Sequence, residues 1–419
     1  MESFVAIALF VLALALIASE RINRTKVALA GGAAAVLIGL LSQEQAIESV
    51  DWGVLGLLAG MMILVWGAEQ AGIFRYMAIR AAQWSRGSPV RLIIGLTGST
   101  AVASAFLDNV TTILLVVPVT LAIADALGIP PVPLVVAEVI ASNIGGAATL
   151  IGDPPNIIIA GASGLGFVDF IVNVGPPALI AYAAVTAVVL VLYRVRLTPK
   201  AALVNELTKL NARASLAPPS TVWPVVITLG ITIIGFFVHS LLHLEPPTVA
   251  LTGAVLYLLI ANVKIEPVLS ALEWPTLFFF AGLFVLVGGL EATGVLESIA
   301  DWLARTTGAS NTREALVVLW SSALGSGVVD NIPFTAAMAP VVDQLSADGG
   351  TTTWWALSMG ACYGGNFTLI AASANLVAAG ALRRSGHDIR FQDFLKIGVP
   401  LTLISMAVAT GWIFVLEAL

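Results

Sequence analysis

Charge is what this sequence has least of. Only 11% of its 419 residues are Asp, Glu, Lys or Arg, less than half the share of an ordinary soluble domain. With 58% hydrophobic residues and a mean hydropathy of +0.98, that scarcity excludes a water-soluble globular fold. Cysteine occurs once, at Cys362, so neither an intramolecular disulfide nor a Cys-based zinc or iron-sulfur centre can form, and no cofactor is expected. Histidine is almost as scarce: His239, His243 and His387 fall near span ends or in loops, which deprives a membrane-embedded hydrolase of a base at its centre. Long polar segments are also missing, so no soluble domain and no nucleic-acid partner are expected.

What is present is a succession of apolar stretches of membrane-spanning length. Spans are expected at 3–19, 26–42, 52–71, 131–161 and 168–193, and again at 222–241, 247–262, 274–293, 353–380 and 396–417. The first lacks the basic start and small-residue cleavage site of a signal peptide and is mirrored later, so it is expected to be retained. Between the third and fourth members of each set lies a shorter apolar pair, 90–107 with 110–127 and 313–329 with 332–345, read as re-entrant hairpins. A constant shift of 222 takes Trp52, Gly60, Gly67, Glu69 and Gly72 onto identical residues at 274, 282, 289, 291 and 294, and Asp108-Asn109 onto Asp330-Asn331. After a shortened loop the shift becomes 219 and "GGAATLIGDPPNIIIAG" (145–161) meets "GGNFTLIAASANLVAAG" (364–380). The chain is thus read as two repeats, 1–193 and 222–419, joined by a cytoplasmic linker at 194–221.

Five crossings and one returning hairpin per repeat is an odd count, so the second repeat should enter the membrane inverted. With both termini outside, all but Arg305 and Arg313 of the 19 basic residues lie on the cytoplasmic side, as the positive-inside rule requires. Segments 73–86 and 295–306 read as short interfacial helices. Trp52, Trp84, Trp274, Trp302, Trp354 and Trp355 stand at span ends, where an aromatic belt is expected.

Polar residues interrupt these spans at four places. Backbone that leaves the helix at membrane depth survives only where protein encloses it, so the interruptions "DNVTT" (108–112), "DNIPFT" (330–335), "SNIGGAATLIGDPPN" (142–156) and "YGGNFTLIAASAN" (363–375) should meet and form a site. Its expected lining is Asn109, Thr111, Thr112, Asn143, Gly145, Gly146, Thr149 and Asn156, opposite Asn331, Thr335, Gly364, Gly365, Asn366, Thr368, Ser373 and Asn375. Asp108, Asp330 and Asp153 are the costly residues in lipid and the candidates for coupling to protons or cations. Helix capping is the competing role for Asp108 and Asp330. A turn before Pro154 and Pro155 is the competing role for Asp153, whose repeat partner is Ala372. Glu138, Glu69 and Glu291 are expected at surfaces or interfaces. Cys362 could offer a thiolate, but a lone buried cysteine is more often an apolar filler. Lys26 and Lys396 open two of the predicted spans and no Lys or Arg lies deeper in any of them, which suits a cation, a proton or a neutral hydroxy acid better than a dianion.

The stretches "FLDNVTTILLVVPVTLAIADALG", "AEVIASNIGGAATLIGDPPNIIIAG" and "GNFTLIAASANLVAAG" resemble the ion transporter superfamily, in the branch of arsenical pump membrane proteins (ArsB), NhaD sodium/proton antiporters and the melanosomal P protein. The resemblance spans nearly the whole chain. It implies a scaffold domain, a mobile transport domain, elevator-type alternating access and a homodimer, and it leaves association with a cytoplasmic ATPase subunit open. Related divalent anion/sodium symporters carry Ser-Asn-Thr at the hairpin tips. Here Asp108-Asn109-Val110 and Asp330-Asn331-Ile332 stand instead, which favours proton coupling. The expectation is a secondary transporter of the cell (inner) membrane that exports an inorganic solute, arsenite or antimonite, in exchange for protons. Sodium/proton antiport, a sodium- or proton-coupled carboxylate or anion symporter and a passive channel are the alternatives.

Overall fold

Backbone in a bilayer must bond to itself, since no water is there to do so, and the apolar runs accordingly fold as helices. The computed structural model describes residues 2–19, 21–195, 197, 211–308, 310–346 and 350–418. Half of the linker expected at 194–221, residues 196 and 198–210, lies outside the described residues.

The first half contains α1 (Glu2–Ala18), α2 (Arg24–Leu37), α3 (Gln43–Glu48), α4 (Trp52–Gln70), α5 (Ile73–Ser85), α6 (Pro89–Phe106), α7 (Asn109–Leu127), α8 (Val132–Ala147), α9 (Pro154–Ser163), α10 (Phe167–Asn173) and α11 (Gly175–Tyr193). The second contains α12 (Pro219–Val238), α13 (Pro246–Ala261), α14 (Ile265–Ala271), α15 (Trp274–Ala292), α16 (Val295–Thr307), α17 (Asn311–Val328), α18 (Asn331–Leu345), α19 (Thr352–Gly364), α20 (Ser373–Arg384) and α21 (Phe391–Leu416). Helix starts recur at the sequence shift: 24 and 246, 52 and 274, 73 and 295, 89 and 311, 109 and 331 are each 222 apart, and 154 and 373 are 219 apart.

Seven helical stretches among the described residues are long and apolar enough to cross a membrane, or eight if α9 and α10, bent by 115°, count as one. The protein is therefore an all-helical polytopic membrane protein. Large apolar side chains such as Leu179, Val191 and Leu259 stand on its outer surface, 69%, 74% and 72% exposed, where lipid takes the place of a core. Both arms of the first hairpin, α6 and α7, are of spanning length.

The fourth expected span of each half is divided, as its glycines and prolines foretold: residues 148–153 separate α8 from α9, and 365–372 separate α19 from α20. Two sequence expectations need correction. The span expected at 168–193 is two helices, because Gly175 and the two prolines after it open α11 afresh, and proline cannot continue a helix from the preceding turn. Trp354 and Trp355 are not in an aromatic belt. They are buried, and Trp355 meets Phe170 edge to face at 5.1 Å, so position at a span end did not reveal which way the rings point.

Helices from the two halves interlock through small residues. A Cβ on Gly60 of α4 would stand 2.8 Å from the Ala250 carbonyl carbon of α13. Its repeat partner Gly282 of α15 would place one 2.7 Å from the Ala28 carbonyl carbon of α2. These crossings need bare backbone, the usual device where helices have no hydrophobic effect to drive them together. The same holds deeper inside, where Gly145 of α8 lies against the Ala101 backbone of α6 and Gly364 of α19 against the Ala323 backbone of α17.

Candidate functional site

Four chain interruptions converge: the tips at Asp108 and Asp330, and the breaks at 148–153 and 365–372. Asp108 precedes α7 and accepts from the Thr111 amide at 2.8 Å and the Thr111 hydroxyl at 2.6 Å. Asp330 precedes α18 and accepts from the Ile332 amide at 3.0 Å through Oδ1. Both therefore cap helices. Capping leaves Oδ2 of Asp330 for another partner.

Asp153 behaves differently. Although it precedes α9, its side chain makes no capping bond. It is fully buried and accepts from Asn109 Nδ2 at 3.2 Å and from Asn331 Nδ2 at 3.3 Å. One carboxylate thus joins the two hairpin tips. Asp108 and Asp330 lie close enough for their charges to act on it.

Around it runs a chain of buried amides. Asn109 donates to Asn143 Oδ1 at 3.0 Å, and Asn143 donates across the halves to Asn366 Oδ1 at 2.8 Å and Asn375 Oδ1 at 3.2 Å. Cys362, the repeat partner of Asn143, is buried and places Sγ 3.6 Å from Asn156 Oδ1, which also accepts from Ser358 at 2.7 Å.

Several residues expected to line the site instead hold its backbone. Asn156 donates to the carbonyls of Ala147 at 3.0 Å and Thr149 at 2.8 Å, and Asn375 to those of Gly365 at 2.7 Å and Thr368 at 2.8 Å. Thr149 donates to the Ala105 carbonyl and Thr368 to that of Gly327, stitching each break to its hairpin. Thr335 bonds back to the Asn331 carbonyl at 2.7 Å. These bonds satisfy carbonyls and amides that the helices release. Gly145, Gly146, Gly364 and Gly365 admit close backbone approach. Among the buried side-chain atoms, Thr112 Oγ1 and Asn366 Nδ2 have no partner.

A guanidinium also enters here, which was not expected from the predicted spans. Arg24, the first residue of α2, extends to Asp330 Oδ2 at 3.3 Å and to the Ser373 hydroxyl, with its guanidinium carbon over the Phe279 ring, 5.1 Å from the centroid. The expectation of a site free of fixed cations is thereby corrected: a long side chain rooted outside the span carries its charge inward along an aromatic face. Its repeat partner is Pro246, and that break in the repeat is the signal that could have drawn notice. A cavity of about 330 Å³ opens beside Arg24, lined also by Asn23, Val110, Asp330 and Ser373.

Glu138 too was misplaced by sequence. It is buried, accepts from Thr120 at 2.7 Å and keeps Oε2 unpaired, because its side of α8 faces α7 rather than lipid. Glu69 and Glu291 are exposed, as expected.

The chain is 42% identical over 421 residues to an uncharacterized transporter of Mycobacterium tuberculosis, with 98% of each chain covered. It is 34% identical over 507 residues to the human P protein, covering 99% of this chain and 60% of that one. The solved structure of Neisseria gonorrhoeae MtrF, described as an antimetabolite efflux pump, superposes with a TM-score of 0.63 at 12% identity over 99% of this chain and 94% of that one, a likeness of fold alone. The model of the CitMHS family, described as citrate transporter, matches residues 14–360. A membrane fold with divided helices around buried carboxylates, matched along most of its length by that model, belongs to the CitMHS family of membrane transporters.

Proposed function

We propose that the protein is a proton-coupled secondary transporter of a small organic anion of the carboxylate class. Asp153 carries this reading: a carboxylate enclosed at membrane depth and held by amides from both halves is costly unless it exchanges a proton or a cation. The unpaired Thr112 hydroxyl and Asn366 amide and the guanidinium at the cavity supply donors for a cargo's oxygens, with the amides of Asn109, Asn143 and Asn331 holding Asp153 and the tips around them. The family description, citrate transporter, supports the same class of cargo.

Arsenite or antimonite export in exchange for protons was favoured by a site without fixed cations. Arg24 removes that ground, and an anion now suits the site better than a neutral trihydroxide. In our reading the repeats 1–193 and 222–419 are oppositely oriented, both termini face outward from the cell (inner) membrane, and the chain works as a homodimer. The hairpins and divided helices move as an elevator past the scaffold formed by α1–α4 and α12–α15.

The test is uptake into proteoliposomes under an imposed inward pH gradient, with citrate, succinate, arsenite and sodium as separate probes. Saturable carboxylate uptake that collapses with the proton gradient is expected. Proton-driven flux of arsenite or sodium alone would replace this reading by one of the alternatives.

A further inference from the structure

The Arg24 contact is poorly matched as a salt bridge and well placed as a receptor. Guanidinium and carboxylate pair best through two parallel bonds, yet here one nitrogen, Nη1, meets one oxygen, Asp330 Oδ2. The other oxygen, Oδ1, accepts from the Ile332 amide at 3.0 Å and receives no bond from the guanidinium, so the pair is held at one point only. The Arg24 side chain is 28% exposed and borders the 330 Å³ cavity, with its guanidinium carbon 5.1 Å from the centre of the Phe279 ring. Beside it α20 begins at Ser373 behind Ala372, which has no side chain to cap the first-turn amides, and such a helix end favours negative charge. The guanidinium, the Ser373 hydroxyl and the start of α20 therefore lie at one cavity, and the acidic residue lining it is Asp330.

We propose that Asp330 occupies the anion subsite of the empty transporter, and that its protonation hands Arg24 to a carboxylate of the cargo. This deepens the proposed function and rests on its carboxylate cargo. Proton and anion are then coupled through one residue pair: with Asp330 ionised, Arg24 is engaged and a second negative charge is repelled; with Asp330 neutral, the guanidinium is free. The other charged groups within electrostatic reach are Asp153 at the break, Asp108 at the other tip and Glu273 at the start of α15. All are acidic, so Arg24 is the anion-attracting charge of the group.

The experiment measures binding of radiolabelled citrate and succinate, with inorganic phosphate as a third probe, to the purified full-length protein in nanodiscs between pH 5.5 and 8.5. Wild type is expected to bind more tightly as pH falls. Asp330→Asn should bind about tenfold more tightly than wild type at the alkaline end and lose most of the pH dependence, a change of the size that one charge-assisted contact supplies. Arg24→Ala should weaken binding about tenfold or more at every pH, and Arg24→Lys should restore it only in part, since ammonium lacks the planar fork. Arg305→Ala, an exposed arginine on α16, is the control for lost charge. Unchanged affinity and pH slope in both Arg24→Ala and Asp330→Asn, in a protein that binds carboxylates, would overturn the subsite and leave the proposed cargo intact. Binding of phosphate alone, still dependent on Arg24, would overturn the cargo class and keep the subsite. Binding of no probe by either wild type or Asp330→Asn would overturn both.

Discussion

Asp153 and the carboxamides around it show how single residues divide the work of holding a non-helical segment from the work of binding. Asp153→Asn removes charge but keeps shape. It should therefore fold, retain solute counterflow and lose accumulation driven by a pH gradient; full gradient-driven accumulation in this variant would remove Asp153 from the coupling path. Asn156 and Asn375 have another task. Each donates to carbonyls of its own break, and truncation leaves those acceptors buried and unpaired, at about 1–3 kcal/mol. Asn156→Ala and Asn375→Ala should each lower the melting temperature in detergent by several degrees, and an unchanged melting curve would show that water takes their place. Part of this was legible in the chain, since the shift of 219 pairs Asn156 with Asn375, although both were expected to line the site rather than to hold its backbone. Asp153 gave a weaker signal because its partner is Ala372, yet its side chain is the one that accepts from both hairpin tips. Asp153, Arg24 and Cys362 all occur where the repeats differ, and all three lie in or beside the central network.

Glycines fix how the helices cross. Gly60, Gly282, Gly145 and Gly364 each stand where a Cβ would press into a neighbouring backbone, which cannot swing aside as a side chain can. Substitution by alanine at any of them should reduce the monodisperse fraction in size-exclusion chromatography, most at Gly145 and Gly364, where the hairpin backbone is closest. Gly230 and Gly411 have nothing within 4 Å of an added Cβ. Alanine there should be neutral or should stabilise by about 0.5–1 kcal/mol through helix propensity. Equal damage at all six positions would mean that chain flexibility, rather than close approach, is what these glycines provide.

Orientation is a property of the whole molecule. The inverted arrangement we propose places the 3-10 turn Ala212–Ser215 in the cytoplasm and α16 outside. In a Cys362→Ser background, a cysteine at Ala214 should react with a membrane-impermeant maleimide only after the cells are opened, and one at Thr306 should react in intact cells. Labelling of both from the same side would end the inverted reading, and with it the elevator built on two opposed repeats.

Local chemistry was enough to determine most of the helices, their repetition and the breaks at 148–153 and 365–372, though not the one before Gly175. Spans follow from apolar length, breaks from Gly-Gly and Pro-Pro, tips from Asp-Asn, and the surface helices α5 and α16 from mixed polarity, all properties of neighbouring residues. Which side of a helix faces protein is not local, and so Glu138, Trp354 and Trp355 were misplaced. The partner of Arg24 lies 306 residues away, and only packing of α2 against α15 brings its guanidinium over Phe279 to Asp330. A side chain several bonds long can carry charge well away from its own backbone, so the sequence determined where Arg24 is rooted, and the tertiary structure alone decided which carboxylate it meets.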